Sequence, residues 1–176
     1  MTGMLRLLNR LPTDTVYDRI KSPVGTLWLL ASSQGLHAIL WDKDLEMVEY
    51  QNFFLKLKLA QKHPVILQTK IQLKEYFAGK RTSFDIPLVL DGTDFQKKAW
   101  KQLTKIPYGK TISYQNQAKK IGDLKKARAV GTANARNPIS IVVPCHRVIA
   151  KNGELSGFGG GIHNKQFLLN LENRNL

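Results

Sequence analysis

Between Ser113 and Ala135 the chain is punctuated so closely that only short helices fit. The Ser113 hydroxyl is placed to cap a helix over Tyr114 to Ile121. Gly122-Asp123 then ends that helix and caps a second, running from Leu124 to about Ala135. Helix, tight glycine turn, helix, and then an apolar run that reads as a strand, Ile139-Ser140-Ile141-Val142-Val143, is the pattern of a helix-turn-helix. The second helix opens on Lys125-Lys126 and continues Ala127-Arg128-Ala129-Val130-Gly131, with small residues around one long arginine. Such a face can approach a surface closely, including the narrow minor groove of DNA, and would bind there with little dependence on base sequence.

Upstream, Asp94 to Lys105 reads as an amphipathic helix, with Phe95, Ala99, Leu103 and Ile106 spaced four, four and three apart, and Pro107-Tyr108-Gly109-Lys110 as the turn after it. The first half differs. Thr15-Val16-Tyr17, Thr26 to Ala31 and Leu36 to Trp41 are strand-like and joined by short glycine-containing connections, which suits an antiparallel meander. Asp44 to Gln61 is rich in helix formers, and Pro64 opens another helix in which Ile66, Leu73, Tyr76 and Phe77 follow helical spacing up to Gly79. The expected class is α+β. A small N-terminal antiparallel sheet with helices occupies residues 1–90. A mostly helical, winged-helix-like C-terminal domain containing the helix-turn-helix occupies 91–176, with Arg81 to Gly92 as linker. The first half offers no chemistry: His37 alternates with apolar neighbours and His63 precedes a proline.

Charge separates the halves further. The net charge is +14; residues 1–90 hold 12 basic and 8 acidic side chains, while 91–176 hold 15 and 5. A half-chain at +10 points to a polyanionic partner, nucleic acid first. No apolar run could span a membrane. Met1 to Pro12 lacks the continuous apolar stretch and small-residue cleavage site of a secretory signal. The expected location is the cytoplasm, or the nucleus of a eukaryote.

Cys145 is the only cysteine, which excludes an internal disulfide and suits a reducing compartment. It follows the apolar run at Pro144-Cys145-His146-Arg147, where a strand end would present the thiol to an incoming group. A titratable imidazole and a permanent cation come next in sequence. Both favour the thiolate, which is the nucleophile.

Pro144 to Ile149 resembles the active-site signature of the O6-alkylguanine-DNA alkyltransferases, the methylated-DNA–protein-cysteine methyltransferases. The similarity extends through Phe95-Gln96 with Trp100, Tyr108 to Tyr114, Arg128 to Gly131, Asn137-Pro138-Ile139 and Lys165 to Glu172, covering essentially all of 93–173. In the first half it is weaker, although length and element order fit.

The resemblance implies that an alkylated guanine is flipped out of duplex DNA and gives its alkyl group irreversibly to Cys145, with no cofactor and as a monomer. It implies His146 as activator, linked through a water to Glu172, and Asn137 as a hinge between the helix-turn-helix and the active-site loop. Tyr114 would face the guanine ring and help it leave with a proton. Arg128 would enter the duplex and fill the vacated space, with Tyr114, Gln115, Ala127, Ala129 and Gly131 also at the DNA. Val148 and the lid residues Phe158, Gly159 and Gly160 would surround the flipped base.

Two features depart from the family pattern. Phe158 and Gly159 stand where many members have tyrosine and serine, which bears on how bulky an alkyl group fits. The cysteine pair of a structural zinc site is absent, so no metal is expected. From the residues alone two other functions stay open. One is a multiple-turnover cysteine hydrolase, built on Cys plus His. The other is a helix-turn-helix regulator without enzymatic activity.

Overall fold

A computed structural model describes residues 7–174. Residues 1–6 of the Met1 to Pro12 stretch, read above for a secretory signal, lie outside the described residues. Two compact units form, one ending at Asp91 and the other beginning at Gly92.

In the N-terminal unit, β1 (Val16–Ser22), β2 (Gly25–Ser32) and β3 (Gly35–Trp41) form the expected antiparallel meander. Gly25 sits at φ 98, a left-handed turn conformation that other residues adopt only with strain. Alternation sends Leu27 and Leu29 to one face and Leu30 to the other, and all three are fully buried, so both faces are covered. On one face, α1 (Val48–Phe54) brings Tyr50 and Phe54 against Leu30, Ala38 and Leu40. A longer helix, α2 (Pro64–Phe77), packs on β1, β2 and β3 and buries Ile66, Leu73 and Tyr76.

Three expectations change here. The helix-rich stretch 44–61 is not one helix: it is a 3-10 turn (Asp42–Glu46), then α1, then a two-residue strand β4 (Lys58–Leu59). β4 pairs parallel with β1, so the sheet is mixed rather than purely antiparallel, in the order β3-β2-β1-β4. Nor is the expected linker free. Leu36 donates its N–H to the Pro87 carbonyl at 2.8 Å, Val89 donates back to Leu36 at 2.9 Å, and Gln72 brackets the Asp85 backbone at 2.8 and 2.9 Å. A Cβ on Gly35 would lie 2.5 Å from the Pro87 oxygen, so this strap needs a glycine beneath it.

In the C-terminal unit, α3 (Asp94–Leu103) opens with a capping box: the Thr93 hydroxyl accepts from the Gln96 N–H and the Gln96 side chain accepts from the Thr93 N–H. The helix-turn-helix follows as expected. After β5 (Ile112–Ser113), Ser113 caps α4 (Tyr114–Lys120), Gly122 turns at φ 104, and Asp123 caps a 3-10 turn (Leu124–Lys126) leading into α5 (Ala127–Ala135). Ala118, Ile121 and Val130 form its core with Phe95, Tyr114 and Ala127 packed alongside. A reciprocal amide pair, Gln117 with Asn134 at 2.7 and 3.2 Å, locks α4 to α5. β6 (Val148–Ile149) pairs parallel with β5, and α6 (Ile162–Arg174) ends the described chain.

Candidate active site

The apolar run before Cys145 is not a strand. The Val143 N–H turns back to the Ile139 carbonyl at 2.9 Å, and Ile141 adopts φ 77. For a β-branched residue that backbone costs about 1–3 kcal/mol, so other contacts must hold it. Asn137 supplies two of them: its amide donates to the Val143 carbonyl at 2.7 Å and its oxygen accepts from the Ile139 N–H at 3.1 Å. This curled loop hands the chain to a 3-10 turn, Cys145–Arg147, with Cys145 at its start.

The thiol is therefore buried, 6 % exposed, rather than displayed at a strand end. Burial pushes its pKa up. Hydrogen bonds from the Asn137 and Ser140 side chains and the Lys165 charge act in the opposite sense without reversing the shift. The resting group is a neutral thiol, so it needs a base.

His146, the next residue, has the chemistry of a proton acceptor. Its Nε2 lies 2.7 Å from Glu172 Oε1, and both side chains are fully buried. The link is direct, with no room for the intervening water that the resemblance implied. A carboxylate only accepts, so Nε2 carries the hydrogen, and Nδ1 is left as an acceptor with no protein partner among the described residues. Burial lowers the His146 pKa while Glu172 pulls it up, and the net direction is down, toward the neutral form that can take a proton.

Glu172 is held by more than His146. Arg147 donates Nε to Oε2 and Nη2 to Oε1, each at 3.0 Å, and the Gly109 N–H donates to Oε2 at 3.0 Å. Burial pushes the Glu172 pKa up, but hydrogen bonds and charge from His146 and Arg147 outweigh it and bring it to about 2. Arg147 is thus directed at Glu172 and at the Ile106 carbonyl (2.6 Å), not at the thiol that sequence proximity suggested it would activate.

Tyr114, the first residue of α4, donates its hydroxyl to the Ser156 carbonyl at 3.1 Å. Burial raises its pKa, so the phenol stays protonated. Phe158 is buried with its ring edge-on to His146 at 6.4 Å between centroids, and Val148 is fully buried. Gly159 and Gly160 are half-buried, and the Gly160 carbonyl accepts from Asn164.

Cys145, His146, Glu172, Asn137, Tyr114, Val148 and Phe158 thus converge. Arg128, Gln115 and Ala129 do not join them; all three are exposed on the helix-turn-helix. Ala127 turns partly into its core. Gly131 faces Tyr114, where a Cβ would make ordinary contact at 3.7 Å. Sequence reasoning missed Lys165, which is fully buried. The signal was present: Lys165, Leu168, Leu169 and Glu172 share the helical stripe i, i+3, i+4, i+7, and all four are buried.

The family models of 6-O-methylguanine DNA methyltransferase match this chain twice: the ribonuclease-like domain over residues 15–90 and the DNA-binding domain over 94–174. The chain belongs to the 6-O-methylguanine DNA methyltransferase family. A methylated-DNA–protein-cysteine methyltransferase of Methanosarcina barkeri is 43% identical over 160 residues, 91% of this chain and 98% of the relative. The crystal structure of Mycobacterium tuberculosis O6-methylguanine methyltransferase superposes with TM-score 0.82 at 41% identity, covering 92% of this chain and 94% of that one. Mycobacterium tuberculosis OGT in complex with DNA gives 0.77, covering 90% and 93%. Among the described residues no group of three or more His, Cys, Asp or Glu could hold a metal ion, and no helix is long and apolar enough to cross a membrane.

Proposed function

We propose that this protein repairs DNA by direct reversal, moving the alkyl group of O6-alkylguanine in duplex DNA to the sulfur of Cys145 in a single, self-inactivating turnover. The observation that carries the reading is the buried Glu172–His146 pair, which leaves Nδ1 as a proton acceptor in the residue next to the lone cysteine. His146 takes the thiol proton; the thiolate attacks the alkyl carbon; the S–C bond forms as the C–O6 bond breaks and its electrons pass to the guanine. Tyr114 supplies a proton to the departing ring and is reprotonated, so in net terms the thiol proton ends on guanine. A thioether is a poor leaving group, and nothing in this sequence of steps regenerates the thiol.

The target atom faces into the base stack, so the base must be extruded at a cost of a few kcal/mol. Arg128, exposed on α5, is the side chain proposed to fill the gap. The lid from Ser156 to Gly161 then closes over the base, with Phe158 as its apolar wall.

The test is a mass spectrum after incubation with duplex containing O6-methylguanine. The expected result is one methyl group on Cys145 per protein and none on Cys145→Ala. A product yield exceeding the protein present would instead establish a turning-over hydrolase.

A further inference from the structure

Lys165 is a fully buried cation, and among the described residues no carboxylate forms an ion pair with it; Glu172, on the same helix, is bound to His146 and Arg147. Its ammonium donates instead to two carbonyls, Val148 at 2.6 Å and Ser156 at 2.9 Å, and lies 5.8 Å from the centre of the Tyr114 ring. Burying an ammonium against neutral partners is costly, and a packed apolar side chain would fill the space more cheaply. The position of the charge offers a reason for it. Val148 follows the turn that carries Cys145, and the Ser156 carbonyl that accepts from Lys165 also accepts from the Tyr114 hydroxyl.

We propose that Lys165 is the counter-charge against which the Cys145 thiolate forms, and that the same ammonium positions the lid and Tyr114 relative to the strand after the nucleophile. A cation fixed where negative charge develops stabilises it without reorganisation during the step. The other charged and titratable groups around the thiol do not serve this purpose. His146 is the neutral proton acceptor and Tyr114 a neutral phenol. Glu172 and Arg147 offset each other. The electrostatics agree: burial drives the Cys145 thiol up and the Lys165 ammonium down, and each group's charge pulls the other back.

The inference rests on Cys145 as the alkyl acceptor, and its test reads the thiol without DNA. Iodoacetamide alkylates the thiolate: an S–C bond forms, iodide leaves with the C–I electron pair, and the thiol proton passes to His146 or solvent. With one cysteine in the chain, the label reports Cys145 alone. Lys165→Gln keeps a donor for the carbonyls but removes the charge. It should raise the midpoint of the alkylation pH profile by at least about one unit, about tenfold less thiolate at a given pH, and slow methyl transfer from duplex by a similar factor. Lys165→Arg should restore the midpoint. Should Lys165→Gln not fold, Lys165→Met makes the same comparison. An unchanged midpoint in the neutral variants, even with slow duplex transfer, would reduce Lys165 to a brace for the lid and overturn the inference. Wild-type protein that iodoacetamide labels but O6-methylguanine duplex does not would sink the functional reading instead.

Discussion

The Glu172 carboxylate accepts hydrogen bonds from His146, Arg147 and the Gly109 backbone with no exposed surface of its own. Desolvation pushes its pKa up; its partners win by enough to bring it from 4.5 to about 2. That difference corresponds to roughly 3 kcal/mol of folding stability. Because the folded pKa lies below the unfolded one, the contribution is complete above the unfolded value near 4.5 and is lost as pH falls through about 2. Glu172→Gln should therefore cost about 3–5 kcal/mol at neutral pH, since it leaves Arg147 buried without its counter-ion. The gap between wild type and variant, measured by urea denaturation, should narrow as pH is lowered to about 3. A constant gap would mean that Glu172 is not held ionised. Transfer should also slow, because Nε2–H loses the carboxylate that orients the ring.

The helix-turn-helix was readable in advance because its signals are local: Ser113 and Asp123 caps, and a glycine turn at Gly122. The loop 139–143 was not readable. Its β-branched residues favour strand, whereas the Asn137 side chain, reaching two and six residues along the chain, and the Val143–Ile139 backbone bond hold it in a curl. Likewise 55–61 has helical composition, but Lys58 and Leu59 give their backbone to β1. Lys165 was overlooked because a lysine within a helix usually marks the solvent face, and only its register with Leu168 and Glu172 says otherwise.

Two predictions concern α5. Gly131→Ala introduces a Cβ 3.7 Å from Tyr114, an ordinary contact, so stability should rise by up to about 1 kcal/mol from helix propensity. If this face presses on the groove, DNA affinity should nevertheless fall; unchanged affinity would place the groove elsewhere. Arg128→Ala should slow repair in duplex about a hundredfold, at ~1.4 kcal/mol per tenfold, because the extruded state loses its plug. Reaction with the free base O6-benzylguanine should hardly change. An equal fall in both rates would move Arg128 from the duplex to the support of the pocket.

The +14 charge is concentrated where the helix-turn-helix lies, with 15 basic and 5 acidic side chains over 91–176 against 12 and 8 over 1–90. Buried cations contribute little to steering, since Arg147 is bound to Glu172 and Lys165 to carbonyls. Among the exposed lysines of this half, Lys119, Lys120, Lys125 and Lys126 surround the Gly122 turn, and Lys126 also lies 3.5 Å from Asp123. Each phosphate neutralised releases condensed counter-ions and adds about 0.9 to the steepness of log affinity against log salt. Replacing Lys120 and Lys125 by Gln should flatten that slope by about 2 and weaken binding alike on every DNA sequence. Replacing Lys58 and Lys62 in the N-terminal unit, which are exposed but sit in the less basic half, should leave the slope unchanged. The comparison separates a specific basic face from a diffuse effect of net charge, because both pairs remove the same two charges. Equal flattening by the two pairs would assign DNA binding to the overall charge of the chain and remove the helix-turn-helix as its docking surface.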